Sequence, residues 1–426
     1  MSTLVIVGAQ WGDEAKGKIV DVLGSQAKWV VRYSGGNNAG HTVIIGDKTY
    51  KFQLLPAGIL HQNAISILAG GMAICPKGLI EELDRTLAQA DGIGELMISP
   101  AAHVVFPYHR KLDELEEGAR GDHSIGTTRR GIGPMYTDKV QRIGIRMGDF
   151  VQPDIFREKL HRVLDFKNRL MTLLGGEEIS FDDLFDEYQA YATRLKPYVR
   201  DTESLLARAV KSGDRILFEG AQGTFLDLDH GTYPYVTSSH PTAGGATLGT
   251  GVGPRAIQNV LGVCKSYTTR VGEGPFPTEL TNEIGDQIRR QGNEFGTVTG
   301  RPRRCGWLDL VALRHACQIN SMSGLIITRL DVLSGIDELQ VCTAYQNRDT
   351  MPYSREDWAE VVPSLESLSG WYEDIQGAKV WEDLPSAVQN YVRFIESFTE
   401  TPAAILSIGP DRSQTIILRP DLIWDS

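Results

Sequence analysis

The chain has 426 residues, 45 of them glycine, and a formal net charge of −11. That acidity speaks against general nucleic-acid binding, which needs a basic face, but not against small anionic ligands, which need only local cations and aimed amides. No run of about 18 uncharged apolar residues is available to span a membrane, and Met1-Ser2-Thr3 leads straight into Leu4-Val5-Ile6-Val7 without a signal-peptide pattern. Five scattered cysteines without a CxxC pair argue against a disulfide framework or zinc site and point to a reducing, cytoplasmic setting.

Along the chain, short β-branched runs predict strands at 4–7, 29–33, 65–68, 216–218, 263–268, 325–327, 340–345 and 404–408. Several of them open directly into glycine clusters. Loops at the carboxyl ends of strands are where α/β sheets bind ligands, so these clusters suggest one composite site. Between strands, residues 154–173 place Phe156, Leu160, Val163, Leu164 and Leu170 near a 3.6-residue spacing, and 181–210 repeats the habit. The glycine-poor stretch of about 151–212 therefore reads as a helical excursion, either packed on the sheet or serving a dimer contact. Another helix is expected at 386–397. The fold class is α/β, a large mostly parallel central sheet with flanking helices and helical insertions, carried by a single domain over 1–426.

The first chemical motif is Gly12-Asp-Glu-Ala-Lys-Gly17-Lys18-Ile19, which follows a strand and leads into a helical pattern. It has the G-x4-G-K spacing of a P-loop-NTPase-like nucleotide site, in which glycines let backbone N–H groups face phosphate oxygens. It lacks the Ser or Thr that holds Mg²⁺ in a Walker loop, because Ile19 stands there. It also carries two acids. A carboxylate beside a γ-phosphate can bind Mg²⁺ or act as a base toward a second substrate; Asp13 is the candidate for both, while Glu14 is either part of the nucleotide site or a surface acid. The second motif is Gly35-Gly36-Asn37-Asn38-Ala39-Gly40-His41-Thr42. A histidine is commonly a structural hydrogen-bonder, but His41 follows a strand expected to neighbour the phosphate-loop strand, where it can serve as general acid to a transferring phosphoryl group.

Further motifs run in order to the C-terminus: Gly-Thr-Thr-Arg-Arg-Gly-Ile-Gly-Pro at 126–134, Phe-Glu-Gly-Ala-Gln-Gly-Thr at 218–224, Asp-His-Gly-Thr-Tyr-Pro-Tyr-Val-Thr-Ser-Ser at 229–239, and Thr-Arg-Val-Gly-Glu-Gly-Pro-Phe-Pro-Thr-Glu at 269–279. Thr-Gly-Arg-Pro-Arg-Arg-Cys-Gly-Trp at 299–307, Thr-Arg-Leu-Asp at 328–331 and Ser-Ile-Gly-Pro-Asp-Arg at 407–412 complete the set. Together they resemble the adenylosuccinate synthetase family almost end to end. The resemblance implies a GTP-dependent ligase that joins L-aspartate to IMP through a 6-phosphoryl-IMP intermediate, with Mg²⁺ on Asp13 and the Gly40 carbonyl. It implies catalytic roles for Asp13, Lys16, His41 and Gln222. Asp13, Lys16, Asn38, Thr128, Gln222, Thr237 and Arg301 match IMP-contacting positions, and Arg142 matches an arginine lent across a homodimer to the neighbour's IMP phosphate. GTP falls to Gly12, Glu14, Ala15, Lys16, Gly17, Lys18, Gly40, His41, Thr42, Arg303, Arg329, Leu330, Asp331, Ser407, Ile408 and Gly409. Thr297, Val298, Thr299, Gly300, Arg301 and Arg303 match the aspartate-binding loop.

Three positions depart from the family pattern. Ala15 stands where glycine is usual, and its methyl costs about 1 kcal/mol or more if the backbone there is left-handed. Arg329 replaces a lysine before Leu330-Asp331, and Pro302 follows Arg301. Two other readings remain at this stage: a GTP-binding switch, disfavoured by the missing loop Ser/Thr and the arginine-rich second-substrate segment, and a related ligase acting on another purine nucleotide such as GMP.

Overall fold

The computed structural model describes residues 2–121, 124–295, 302–346, 348 and 351–424. Its centre is a nine-stranded sheet. In chain order the strands are β1 (Ser2–Gly8), β2 (Trp29–Arg32), β3 (Ile65–Leu68), β4 (Glu95–Ile98), β5 (Arg215–Glu219), β6 (Asn259–Lys265), β7 (Gly324–Thr328), β8 (Ala403–Ser407) and β9 (Thr415–Ile417). In space they run β9-β8-β7-β6-β1-β5-β2-β3-β4. Every pairing is parallel except β8 with β9 at one edge.

β1 shows why the sheet forms here. All seven of its residues are buried, with Leu4 and Ile6 in one hydrophobic cluster and Val5 and Val7 in another. A parallel strand covered on both faces is apolar at every position rather than at alternate ones. Burying each such side chain contributes about 1.5–3 kcal/mol. A further cluster around Leu325, Ile327 and Leu406 packs the C-terminal part of the sheet.

Helix α1 (Lys16–Gly24) follows β1, α2 (Pro107–Ala119) and α3 (Ile132–Gln141) flank the 126–131 loop, and α4 (Pro153–Leu173), α5 (Phe181–Leu195) and α6 (Thr202–Ser212) form the helical excursion. Phe156, Leu160 and Leu164 of α4 and Phe185 of α5 join the cluster that holds Leu4 and Ile6, so the apolar faces of α4 and α5 are spent on the core. Helix α7 (Ser386–Thr399) matches its expected position.

Two expectations need correction. β2 does not neighbour β1, because β5 enters between them and pairs with both. The expected strand at 263–268 spans two elements: β6 ends at Lys265, and Thr268–Arg270 pairs instead, antiparallel, with Arg304–Gly306. That second pairing carries the chain from the sheet to the arginine segment.

Candidate active site

The loop after β1 is held in shape by its own acid. Glu14 is fully buried, and its carboxylate accepts from the amides of Gln10 (3.1 Å) and Gly12 (2.8 Å) and from Lys16 Nζ (2.6 Å). Glu14 is therefore an inner strut of the loop. The surface-acid alternative is wrong, because the side chain is enclosed by the loop it braces. Gly8 is required beneath it, since an added Cβ would lie 2.6 Å from Glu14 Oε2. Lys16 also donates to the Gln222 carbonyl, which ties the phosphate loop to the loop after β5.

Gly12, Asp13 and Ala15 all take positive φ, at 89°, 61° and 69°. Ala15 thus meets the condition under which its methyl is costly, about 1–2 kcal/mol. Gln222 (φ 56°) and Arg329 (φ 64°) are left-handed too. Such backbone strain persists where surrounding structure over-determines it, commonly at functional sites. Gln222 Nε2 donates to Asn38 Oδ1 at 3.2 Å, and Asn38 Oδ1 also accepts from the Gly36 amide. Asp13 and Lys16, Asn38, and Gln222 come from three loops, and these converge on one cradle at the carboxyl ends of β1, β2 and β5.

His41 begins the strand His41–Ile45, which pairs with Lys48–Phe52 and places Thr42 on its exposed side. Its Nδ1 lies 2.7 Å from Glu219 Oε1, and Glu219 Oε2 accepts from the Ala57 amide. Gly17 lies directly against it, since a Cβ there would come within 2.9 Å of the His41 Cβ. Burial, with the Arg32 cation nearby, pushes the imidazole below its ordinary pKa, while Glu219 opposes that. Burial works to raise Glu219, but His41 and Arg32 together hold it below the usual carboxylate range. Arg32 itself is wholly buried between Glu219 and Glu82.

A second charged chain enters from the arginine segment. Arg303 Nε is 2.8 Å from Asp13 Oδ2, and Arg303 Nη1 is 2.8 Å from Glu294 Oε2. Glu294 also takes Lys265 Nζ at 2.6 Å and Tyr267 Oη at 2.5 Å. Burial alone would raise Glu294; the cations of Lys265, Arg303 and Arg329 outweigh it and bring the carboxyl to about 2. Arg304, by contrast, is spent on Glu279 and the Gly274 carbonyl. Thr297, Val298, Thr299, Gly300 and Arg301 lie outside the described residues.

On the far side, Lys18 gives its three donors to Ser407 Oγ, the Gly409 carbonyl and the Gln414 carbonyl at 2.7–2.9 Å. It braces the Ser407–Ile408–Gly409 turn instead of presenting free N–H groups to phosphate. Burial lowers it to about 8 against the pull of Asp331 and Asp411. Asp331 follows β7, in the turn Leu330–Leu333 that Arg329 caps. Its Oδ1 is buried with no hydrogen-bond partner among the described residues, and its Oδ2 is 3.4 Å from Gln376 Nε2. Burial raises its pKa, with Arg329 and Lys18 opposing.

Thr128 is exposed in the 126–131 loop, and Thr237 is half-buried with its amide bonded to the Leu226 carbonyl. Arg142 ends α3 in a left-handed, exposed position, and its guanidinium makes no ion pair or side-chain hydrogen bond among the described residues. Sequence reasoning did not single out Glu219, Arg32, Glu294 or Lys265. The available signal was the acid closing the Ile216–Phe218 strand and the lysine closing β6, both at strand ends that feed the site.

A parallel sheet whose central strand opens into a phosphate loop, with a partly exposed carboxylate, a buried histidine and a second carboxylate lacking a partner for one oxygen around it, defines a nucleotide-dependent α/β enzyme. The family model for adenylosuccinate synthetase matches residues 5–416. An adenylosuccinate synthetase from a Thermoanaerobacter strain is 52% identical over 424 residues, covering 98% of this chain and 100% of that protein. Another from Clostridium novyi is 49% identical over 424 residues, with 98% and 99% covered. The fully ligated adenylosuccinate synthetase structure from Plasmodium falciparum superposes with a TM-score of 0.92 at 38% identity, covering 98% of this chain and 100% of that one. A cyanophage succinoaminodeoxyadenylate synthetase, 21% identical with a TM-score of 0.64, shares the fold. The chain belongs to the adenylosuccinate synthetase family. It is a GTP-dependent ligase that couples L-aspartate to IMP with Mg²⁺ as cofactor, and the switch and GMP-ligase readings are not favoured.

Proposed function

We propose that this chain makes adenylosuccinate through 6-phosphoryl-IMP, with Asp13 as base and His41 as acid. Asp13 takes the N1 proton of IMP, O6 attacks the γ-phosphorus, and GDP departs with the electron pair of the broken P–O bond. The aspartate amine then adds to C6, and phosphate leaves with O6 as the amine gives up a proton. An oxo group is a poor leaving group from a purine and a phosphate is a good one, so GTP converts one into the other. Positioning and electrostatics supply most of the rest.

The observation that carries this reading is the convergence of Asp13, Lys16, Asn38 and Gln222 on one cradle, with Asp13 a third exposed while its neighbour Glu14 is sealed away. Lys16, Asn38, Gln222, Thr128, Thr237 and Arg301 bind IMP, and Thr297–Gly300 with Arg301 and Arg303 bind aspartate. With Nδ1 committed to Glu219, His41 has Nε2 for the bridging oxygen. The imidazole, held neutral by burial, takes up its proton when anionic phosphates arrive. The Asp13 carboxylate and the carbonyl of Gly40, an exposed residue, are hard oxygen donors of the kind Mg²⁺ takes, so the residues fit the ion. When bound, it supplies charge neutralisation at the phosphates.

The finer assembly is a homodimer in which Arg142 reaches the neighbouring site. Arg142, without an ion pair or side-chain hydrogen bond among the described residues, follows Lys139, Val140 and Gln141, which line a cavity of about 470 Å³ with Leu248 and with Ser238 next to Thr237, and this supports it. The cytoplasm is the fitting compartment, in keeping with five free cysteines. The test is product identification with IMP or GMP, L-aspartate and MgGTP. Adenylosuccinate is expected only when IMP, aspartate and GTP are all present; GTP hydrolysis independent of IMP and aspartate would overturn the reading.

A further inference from the structure

Helix α2 places two acids one turn apart on the face it turns to the 126–131 loop. Glu117 and Asp113 are each only 6% exposed. Glu117 Oε1 accepts from the amides of Gly126 (2.5 Å) and Thr127 (3.2 Å), and Asp113 Oδ2 accepts from the Gly131 amide (2.8 Å). The loop is thereby clamped at both ends, with Thr128, Arg129 and Arg130 between the clamps. Its backbone is held in an unusual shape: Gly126, Arg129 and Gly131 have φ of 81°, 53° and 77°. Gly131 is also pressed onto α2, since a Cβ would lie 2.7 Å from the Arg110 nitrogen.

The frame behind the clamps is cross-linked by buried charged side chains. His109 Nε2 lies 3.0 Å from Asp138 Oδ2, and Lys167 pairs with the other Asp138 oxygen, which fixes α2, α3 and α4 to one another. Burial works to raise the Glu117 carboxyl, yet the Gly126, Thr127 and Ile125 amides and Arg120 hold it below the usual range. Two near-buried carboxylates are a costly way to close a surface loop unless the loop's shape matters.

With Thr128 followed by Arg129 and Arg130, the loop offers a hydroxyl donor beside two cations, chemistry that suits the anionic phosphate of IMP rather than its neutral base or ribose; we infer that Glu117 and Asp113 are positioning residues for that phosphate, setting the 126–131 backbone so that Thr128 meets it. This rests on the reading of Thr128 as an IMP contact. Neither acid touches substrate; both act through loop amides. A charge-assisted hydrogen bond of this kind is strong enough that its loss costs about tenfold in affinity.

The test uses the full-length protein and the variants Glu117→Ala, Glu117→Gln and Asp113→Asn. Equilibrium binding of IMP and of inosine, which lacks the phosphate, is measured beside steady-state kinetics and thermal midpoints. Glu117→Ala is expected to weaken IMP about tenfold in both Kd and KM while leaving inosine, the GTP KM and kcat within about twofold. Glu117→Gln, which keeps one acceptor oxygen, is expected to recover part of the loss, and Asp113→Asn to behave likewise. Equal weakening of IMP and inosine, or an unchanged IMP KM, would overturn the proposal. So would a rise in all three substrate KM values together with a fallen thermal midpoint. Wild-type protein that makes no adenylosuccinate would instead sink the reading of the site, whereas unaltered IMP-over-inosine discrimination in an active enzyme would sink only the positioning role.

Discussion

Replacing Asp331 with asparagine tests whether this carboxylate recognises the guanine of GTP. Asp331 Oδ1 is buried without a partner among the described residues, and Oδ2 has only a long contact with Gln376. Both oxygens are thus open to donors, and guanine offers two in line, N1–H and the 2-amino group, where adenine cannot. Asparagine keeps one acceptor and turns an N–H₂ toward the second donor. Losing one charge-assisted hydrogen bond and facing donor with donor costs about 2–4 kcal/mol, or roughly thirtyfold to several hundredfold in GTP affinity. Xanthine carries a carbonyl at C2 in place of the amine, so XTP is expected to recover much of the loss in the Asp331→Asn variant. Initial rates with GTP, ATP and XTP at fixed IMP and aspartate measure this. A GTP KM within twofold of wild type, or undiminished preference for GTP over ATP, would refute the reasoning. Because burial raises the Asp331 carboxyl, the GTP KM is also expected to rise, as pH is lowered, from above the ordinary carboxylate range.

Asp13→Ala is expected to abolish turnover while leaving GTP binding measurable by titration; near-wild-type turnover would remove Asp13 as the base. Arg142→Leu is expected to raise the IMP KM, and mixing it with Asp13→Ala should restore part of the activity through hybrid dimers with one complete site. Asp309 is fully buried between the Ala312 amide and Tyr345 Oη, and burial pushes its carboxyl up to about 6. The folded state then holds this proton more tightly than the unfolded chain, so stability falls as pH rises from about 4 to 6, by up to about 3 kcal/mol. Asp309→Asn should flatten that slope and raise the melting temperature above pH 6, as thermal scans from pH 4 to 8 would record.

The parts of the site carried by local pattern were legible in the sequence. A strand, a G-x4-G-K loop and a helix are written within 24 residues, and a carboxylate in a motif of the phosphate-binding kind marks itself by being out of place. Pairings across long stretches of chain were not legible. Nothing in the Gly12–Lys18 motif says that Glu14 folds inward to hold Lys16, because that depends on how the Gln222 loop closes over it. The expected adjacency of β1 and β2 failed because β5, from nearly 200 residues on, pairs with both. Glu294 and Lys265, 29 residues apart, meet only after the chain leaves β6 and returns through the arginine segment. The left-handed backbone at Ala15 and Arg329 is likewise a product of tertiary closure, since neither residue type favours it.

Oxygen tracing tests the account most directly. IMP labelled with ¹⁸O at position 6 is incubated with the enzyme, MgGTP and L-aspartate, and the products are separated and analysed by mass spectrometry. Capture of the γ-phosphoryl group by O6 requires the label to emerge in inorganic phosphate, one atom per adenylosuccinate formed. Phosphate free of label, with ¹⁸O released to water, would contradict it.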